Sequence, residues 1–189
     1  MKRAKAARQQ KFPGFPKAAP PKRVLRRYFE AVELMRDEVK NFETYPFSIP
    51  SIRHLHRLVF HPAVTFFIGE NGSGKSTLLE AIAVKAGFSA EGGDKQLQFG
   101  THDTHSPLHD CLRLERSFGA PTDGFFLRAE SFYNVASQLE KIGSTFHAYG
   151  GKSLHQQSHG ESFLALFQNR FEHGLYILDE PEAAVQSLL

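Results

Sequence analysis

The chain has 189 residues, of which 41% are apolar, and this suits one α/β domain with a sizeable core. Its single cysteine, Cys111, excludes an internal disulfide and favours a reducing, cytoplasmic setting. No apolar run approaches the roughly 18 residues that span a bilayer, and no hydrophobic block follows the basic N-terminus, so we expect neither a membrane span nor a secretory signal.

Residues 1–27 form a basic arm, and residues 28–189 form the predicted domain. Ten of the 23 lysines and arginines lie in residues 1–29, which contain no acid, so residues 30–189 have 13 basic residues against all 20 acidic ones. Four prolines prevent a continuous helix through the arm. We expect a solvated, disordered arm. A contact with nucleic acid or an acidic partner and an organellar presequence are the other interpretations.

The first predicted elements of the domain are extended. Tyr28–Leu34 has strand character, and Phe42–Ile49 predicts a second strand, which Pro46 assigns to a sheet edge. His61-Pro62 predicts a turn before the next apolar run.

Residues Val64–Thr77 predict a buried strand, a glycine-rich turn and the start of a helix that ends at Gly87. Gly69–Ser76 fits G-x-x-x-x-G-K-[ST], the phosphate-binding P-loop. Glycine recurs because backbone N–H groups can converge on a phosphate only where no side chains intrude. The following helix directs its positive end at the same anion.

The P-loop assigns a role to each of its polar side chains. Lys75 is the predicted catalytic cation that neutralises the β- and γ-phosphates of ATP, and the Ser76 hydroxyl is a predicted Mg²⁺ ligand. Upstream, Tyr45 and Phe47 are expected to pack in the core or at an edge, with stacking on adenine as the alternative. The predicted nucleotide contacts are Gly69, Glu70, Asn71, Gly72, Ser73, Gly74, Lys75, Ser76 and Thr77.

Residues 89–106 predict loops around a short strand at Gln96–Phe99. His102, His105 and His109 lie in or near these loops, but their spacing matches no standard zinc pattern, so we expect solvated histidines. Gly124–Ala129 then predicts a second strand, followed by a helix over Ser131–Leu139.

Ser158–Ser162 precedes Phe163–Phe167, an apolar helical run. Ser158 and Glu161 fit a capping box, which any helix can have. Leu175–Leu178 predicts a buried strand of the parallel type that ends in two carboxylates. Because open α/β sheets bind ligands at that end, we expect Asp179 to hold Mg²⁺ and Glu180 to polarise the water that attacks the γ-phosphate.

These three pieces, in this order, resemble the ATP-binding-cassette (ABC) ATPase superfamily. Gly69–Ser76 is similar to Walker A, Ser158–Ser162 to a variant signature motif, and Ile177–Pro181 to Walker B with its catalytic glutamate. The sequence around them is similar to the soluble branch of Rad50, SMC and RecF proteins, and Phe126–Phe132 to small stand-alone bacterial predicted ATPases.

The resemblance implies an α/β P-loop NTPase sheet with flanking helices and an N-terminal antiparallel β segment. It also implies a head-to-tail homodimer, in which Ser158 and Gly160 of one copy face the ATP on the other copy's P-loop. ATP joins the two copies, and hydrolysis lets them separate.

Three features depart from the family pattern. The Q-loop glutamine is ambiguous between Gln98 and Glu130, and His159 occupies a signature position where a small residue is typical. Family members continue past Walker B into a strand with a switch histidine, whereas this sequence ends at Leu189. We therefore expect a sequence truncated at its C-terminal end.

The leading functional interpretation is a cytosolic ATPase without a membrane span. The alternatives are an ATP-dependent binding switch with little or no hydrolysis, and the ATPase subunit of a transporter. The residues Pro181–Ala184 favour the soluble branch over the transporter subunit.

Overall fold

The computed structural model describes residues 28–95, 106–117, 123–141, 159–171 and 174–182, with the single residues 119, 121 and 153. These residues form a mixed α/β structure with two three-stranded sheets. The basic arm, Gln98 and the predicted strand Gln96–Phe99 lie outside the described residues. Within them, no helix is both long enough and apolar enough to cross a membrane.

The first sheet is antiparallel, as the resemblance implied for the N-terminal β segment. Its central strand is β1 (Phe29–Leu34), flanked by β2 (Arg57–Val59) and β4 (Leu112–Arg116). In β1, Phe29, Ala31, Val32 and Leu34 are buried. The predicted strand Tyr28–Leu34 is confirmed.

The second sheet contains the parallel pair that positions the site. β5 (Gly124–Arg128) pairs with β6 (Leu175–Asp179) in parallel, from Gly124 opposite Leu175 to Arg128 opposite Asp179. β3 (Gly93–Asp94) pairs antiparallel with the other edge of β5. Both predicted strands are confirmed, and their carboxyl ends meet at one edge of the sheet.

Helices cover both faces of this second sheet. α2 (Lys75–Ala86) contacts β4 and β6, while α3 (Phe132–Lys141) and α4 (His159–Arg170) contribute to a separate apolar cluster. Alternation along β5 places Phe126 in the α2 cluster and Phe125 and Leu127 in the other cluster. The predicted helices are confirmed, and α2 ends at Gly87, whose φ is 96°.

Phe42–Ile49 is a series of turns, so the prediction of an edge strand there was wrong. The Asn41 side chain accepts a hydrogen bond from the Glu43 N–H at 2.8 Å, and the Thr44 carbonyl accepts one from the Ser48 N–H at 2.9 Å. Asparagine and proline turn chemistry therefore outweighs the strand propensity of the aromatic residues. A four-residue helix follows, α1 (Pro50–Arg53).

Residues 64–68 are not a strand, and the prediction of a buried central strand at Val64–Ile68 was also wrong. None of the described strands pairs with this segment. Val64, Phe66 and Ile68 are 57%, 82% and 93% exposed. The predicted turn at His61 hydrogen-bonds to the start of this segment. The His61 Nδ1 accepts from the Ala63 N–H at 3.2 Å and from the Val64 N–H at 3.3 Å.

Candidate functional site

The glycine-rich turn has the backbone geometry that its sequence predicts. Gly72 and Gly74 have φ values of 77° and 90°, in the left-handed region that favours glycine. A side chain at Gly69 would place its Cβ 2.9 Å from the Ser73 Oγ. Gly72 and Gly74 thus allow the left-handed backbone of the turn, and the missing side chain at Gly69 leaves room for Ser73, immediately before α2 begins at Lys75.

The Lys75 ammonium lies over the loop. Its Nζ donates to the Gly69 carbonyl at 2.7 Å and to the Glu70 carbonyl at 2.8 Å. Both acceptors belong to the loop itself, so the cation stays at the N-terminus of α2. A bound phosphate would meet a positive charge there, together with the positive end of the helix dipole.

The two predicted magnesium ligands lie together although 103 residues separate them. The Ser76 Oγ donates a hydrogen bond to the Asp179 Oδ1 at 2.9 Å. Neighbouring ligands of an octahedral Mg²⁺ with metal–oxygen distances of about 2.1 Å lie roughly 3 Å apart. The hydroxyl and carboxylate oxygens therefore fit adjacent positions around one magnesium ion.

Asp179, at the end of β6, is 7% exposed. Burial raises its pKa above the ordinary value, and the hydrogen bond from Ser76 and the charge of Arg128 oppose that shift. Glu180 and Glu130 add to it through like-charge repulsion. A divalent cation between Ser76 and Asp179 would stabilise the ionised carboxylate.

Glu180 turns away from the strand at a φ of 52°, which is uncommon for a residue other than glycine. It is exposed, and it lines a cavity of about 220 Å³ over the P-loop. Of the predicted nucleotide contacts, Gly69, Glu70 and Ser73 are not part of this lining. The lining residues are Tyr45, Ile49, Asn71, Gly72, Gly74, Lys75, Ser76, Thr77 and Glu180.

The two aromatic residues upstream of the P-loop have different environments. Phe47 is 6% exposed in the core, as expected. Tyr45 is 65% exposed at the cavity, with its hydroxyl 3.3 Å from the Thr77 hydroxyl. The packing expectation was therefore wrong for Tyr45, whose ring is available to a nucleotide base.

No sequence pattern indicates that α1 supports the P-loop. The Ser51 Oγ donates to the Ser73 carbonyl at 2.5 Å. A Cβ at Gly74 would lie 3.0 Å from the Ile49 Cγ2 and 3.5 Å from the Ile52 Cδ1. The serine and isoleucines of this short segment belong to no recognisable sequence motif. Their contact with the P-loop is therefore visible only in the three-dimensional structure.

The remaining predicted residues divide between described and undescribed parts of the chain. Ser158 lies outside the described residues, and Gly160 is buried in the first turn of α4. Of the histidines expected to be solvated, His102 and His105 lie outside the described residues, and His109 is half-buried, with 3.2 Å between its Nε2 and the Asp110 Oδ1. The described residues contain no group of three or more histidine, cysteine or acidic side chains that could hold a metal ion.

A comparison with protein-family models matches residues 38–145, more than half of the chain, to the family described as AAA domain. This family consists of P-loop ATPases and occurs in SMC- and Rad50-like proteins. No match was found among curated proteins or among solved structures. The matched range contains the whole P-loop and β5, and the coarse prediction of a P-loop ATPase is confirmed. The chain belongs to the AAA domain family of P-loop ATPases.

Proposed function

We propose that this protein is a cytosolic, Mg²⁺-dependent ATPase that works as an ATP-joined head-to-tail dimer. The observation that carries the nucleotide site is the 2.9 Å hydrogen bond from Ser76 to Asp179. It joins the residue that follows the P-loop lysine to the residue that ends β6. Neither segment alone distinguishes a nucleotide site from an ordinary turn, whereas the pair has the donor set that a magnesium–phosphate complex requires.

Each residue of the site has a distinct role in this proposal. Lys75 and the loop N–H groups bind the β- and γ-phosphates, with Lys75 exchanging its two carbonyl partners for phosphate oxygens. Ser76 and Asp179 hold Mg²⁺, which when bound neutralises charge that develops on the phosphates. Glu180, on the cavity wall, orients the attacking water and accepts its proton.

The Tyr45 ring is the proposed contact for the adenine base. Its exposure at the cavity leaves the ring face free, and base–aromatic stacking contributes roughly 1–3 kcal/mol per base in nucleic-acid complexes. Phe47 does not compete for this role because it is buried in the core.

The dimer is the part of the proposal that rests on the sequence resemblance. In it, the N-terminal end of α4, with Ser158 and Gly160, would meet the ATP held by the partner copy. A helix N-terminus suits a γ-phosphate because its N–H groups and dipole favour negative charge. ATP-dependent association of the two copies, and their separation after hydrolysis, follow from this arrangement.

Two substitutions test binding and turnover separately. Lys75→Ala should reduce ATP affinity roughly ten- to hundredfold, because the phosphates lose a charge-assisted contact. Glu180→Gln should retain binding but stop turnover, and it should accumulate an ATP-bound dimer. Calorimetry measures the affinity, phosphate release measures the turnover, and size-exclusion chromatography with ATP measures the dimer.

Matched variants are available for both changes. Lys85→Ala removes a lysine from the last turn of α2, and Glu182→Gln removes an exposed carboxylate two residues after Glu180. Both should behave as the wild type. Unchanged ATP affinity in Lys75→Ala would reject the site. Tight binding without turnover in the wild type would favour the binding switch over the ATPase.

A further inference from the structure

Arg128 places a guanidinium group directly behind the proposed magnesium site. It is the last residue of β5, and the parallel register pairs it with Asp179, the last residue of β6. Its side chain is only 14% exposed. A charged group this well buried requires partners, and the proposed ATPase chemistry gives Arg128 no role.

Three of its partners hold the guanidinium in one orientation. The Nη1 donates to the Glu80 Oε2 at 2.7 Å and to the Ala90 carbonyl at 3.1 Å, and the Nη2 donates to Glu130. The Glu80 side chain is 15% exposed, so this ion pair is shielded from solvent. The planar fork is thereby fixed before any ligand binds.

The third guanidinium nitrogen, Nε, lies closest to Asp179. The buried Nε has no hydrogen-bond partner among the described residues, and it lies 3.8 Å from the Asp179 Oδ2. The other carboxylate oxygen, Oδ1, accepts the hydrogen bond from Ser76. One oxygen of Asp179 thus faces Ser76, the other proposed magnesium ligand, while the second oxygen faces a donor that is within about 1 Å of hydrogen-bond distance.

Glu80 extends this arrangement to the P-loop helix. It lies four residues after Ser76 in α2, so the two side chains share one face of the helix. Ser76 contacts Asp179, Asp179 lies beside Arg128, and Arg128 contacts Glu80, which belongs to the same helix as Ser76. This closed set fixes the ligands from β6 and α2 relative to each other.

We propose that Arg128 is a positioning residue for the metal site, and this proposal rests on the proposed ATPase function. Ser76 and Asp179 would hold Mg²⁺, and a hydrogen bond from the Arg128 Nε–H to the Asp179 Oδ2 would keep the carboxylate in position for the ion. Glu80 keeps the guanidinium in place. A lysine at position 128 would retain the charge but could not bond to Glu80, Ala90 and Asp179 through one rigid fork.

The experiment compares ATP affinity in Mg²⁺ with ATP affinity in EDTA by calorimetry, for the wild type, Arg128→Lys and Arg128→Gln. The ratio of the two affinities is the metal enhancement. Outer-shell partners of metal ligands typically contribute 10- to 100-fold to metal affinity, so both variants should lose about 10-fold or more of this enhancement. Their affinity for ATP in EDTA should stay within about twofold of the wild type, because Arg128 is not part of the cavity lining.

Two further variants keep the result interpretable. Arg57→Lys alters a bidentate arginine pair with Glu115 in the other sheet, and it should leave the metal enhancement unchanged. Glu80→Gln removes the charged partner of Arg128 without altering Arg128, and it should show a partial loss. It supplies the measurement if the Arg128 variants fail to fold.

Several outcomes would overturn the proposal. One is a folded Arg128→Gln protein with the wild-type metal enhancement. A second is wild-type metal enhancement in Arg128→Lys, which would show that the positive charge alone is sufficient. A third is a loss of ATP affinity in EDTA as large as the loss in Mg²⁺, which would indicate an effect on folding rather than on the metal site. Absence of any metal enhancement in the wild type would instead contradict the proposed function.

Discussion

Residues 64–68 and β6 each bring a short apolar run to the proposed phosphate site, the first before the P-loop and the second before Glu180. β6 hydrogen-bonds in parallel to β5 along five residue pairs, and its Ile177 is 7% exposed. Residues 64–68 pair with none of the described strands, and Ile68 is 93% exposed. The two apolar runs thus differ in environment: Val64, Phe66 and Ile68 are exposed and only Phe67 packs against the core, whereas β6 is a paired strand.

The difference shows that the two halves of the site are held by different kinds of contact. Asp179 and Glu180 are positioned by a strand whose backbone is fixed to its neighbour. The P-loop is held at its C-terminal end. There it continues into α2, and it contacts Ser51 of α1 and Ile49, the residue before α1. Strand propensity describes how a residue fits a half-buried pleated surface, so it does not specify whether a partner strand is present.

The largest expected effect comes from truncating the matched isoleucines. Ile177→Ala should destabilise the fold by about 2–5 kcal/mol, because a buried side chain leaves a cavity. Ile68→Ala should change the free energy of unfolding by less than about 0.5 kcal/mol, because its side chain is exposed. Urea unfolding of the nucleotide-free protein measures both values. Equal destabilisation by the two substitutions would show that the Ile68 side chain is buried in solution.

A second, smaller effect tests whether α1 supports the P-loop. Gly74 and Gly87 flank α2 with similar φ values of 90° and 96°. An alanine at either position should therefore cost about 1–2 kcal/mol of backbone strain. A Cβ at Gly87 meets open space, whereas one at Gly74 lies 3.0 Å from the Ile49 Cγ2 and 3.1 Å from the Ser51 Oγ. Gly74→Ala should therefore be more destabilising by about 1 kcal/mol.

Gly87→Ala is the matched control for this measurement, since it has the strain without the contact. ATP affinity should fall in Gly74→Ala and remain unchanged in Gly87→Ala. Identical unfolding free energies for the two variants would exclude a supporting role of α1.

The site residues that the sequence predicts are those with fixed local spacing. Gly72, Gly74 and Lys75 lie within one turn, and Asp179 follows an apolar strand, so local patterns are sufficient to propose them. The Arg128–Glu80 pair could not be predicted, because the two residues are 48 positions apart and lie on different elements. Their partnership depends on how α2 crosses the second sheet, which no local period describes.

The exposure of Val64, Phe66 and Ile68 could not be predicted for a related reason. The β-branched and aromatic residues of this segment favour a strand, but burial depends on what packs beside it. His61 also directs the local backbone, since its ring contacts the nitrogens of residues 63 and 64. A single turn residue thereby competes with the strand pattern that follows it.

The smallest expected effect concerns the start of the parallel pair, where the Asp123 carbonyl accepts a hydrogen bond from the Leu175 N–H at 3.1 Å. The Asp123 side chain accepts hydrogen bonds from Arg170, at 2.5 and 2.7 Å, and from the Gly124 N–H at 2.7 Å. Burial acts to raise the pKa of Asp123, but these hydrogen bonds and the arginine charge hold it below the ordinary value. The ionised form is thus favoured by folding.

A depressed folded-state pKa gives stability that is complete above the unfolded-state value, about 3.9 for aspartate, and is lost as the pH falls through the folded-state value. Asp123→Asn should therefore be less stable than the wild type at pH 7 and pH 5, by less than about 1 kcal/mol because Asp123 is partly exposed. The difference should shrink as the pH is lowered below about 3.9, where Asp123 also becomes neutral. Urea titrations at these pH values measure the difference in the free energy of unfolding, and Asp37→Asn, which alters an exposed aspartate, is the control. A difference that stays constant down to pH 2 would show that the charge of Asp123 does not stabilise the junction of β5 and β6.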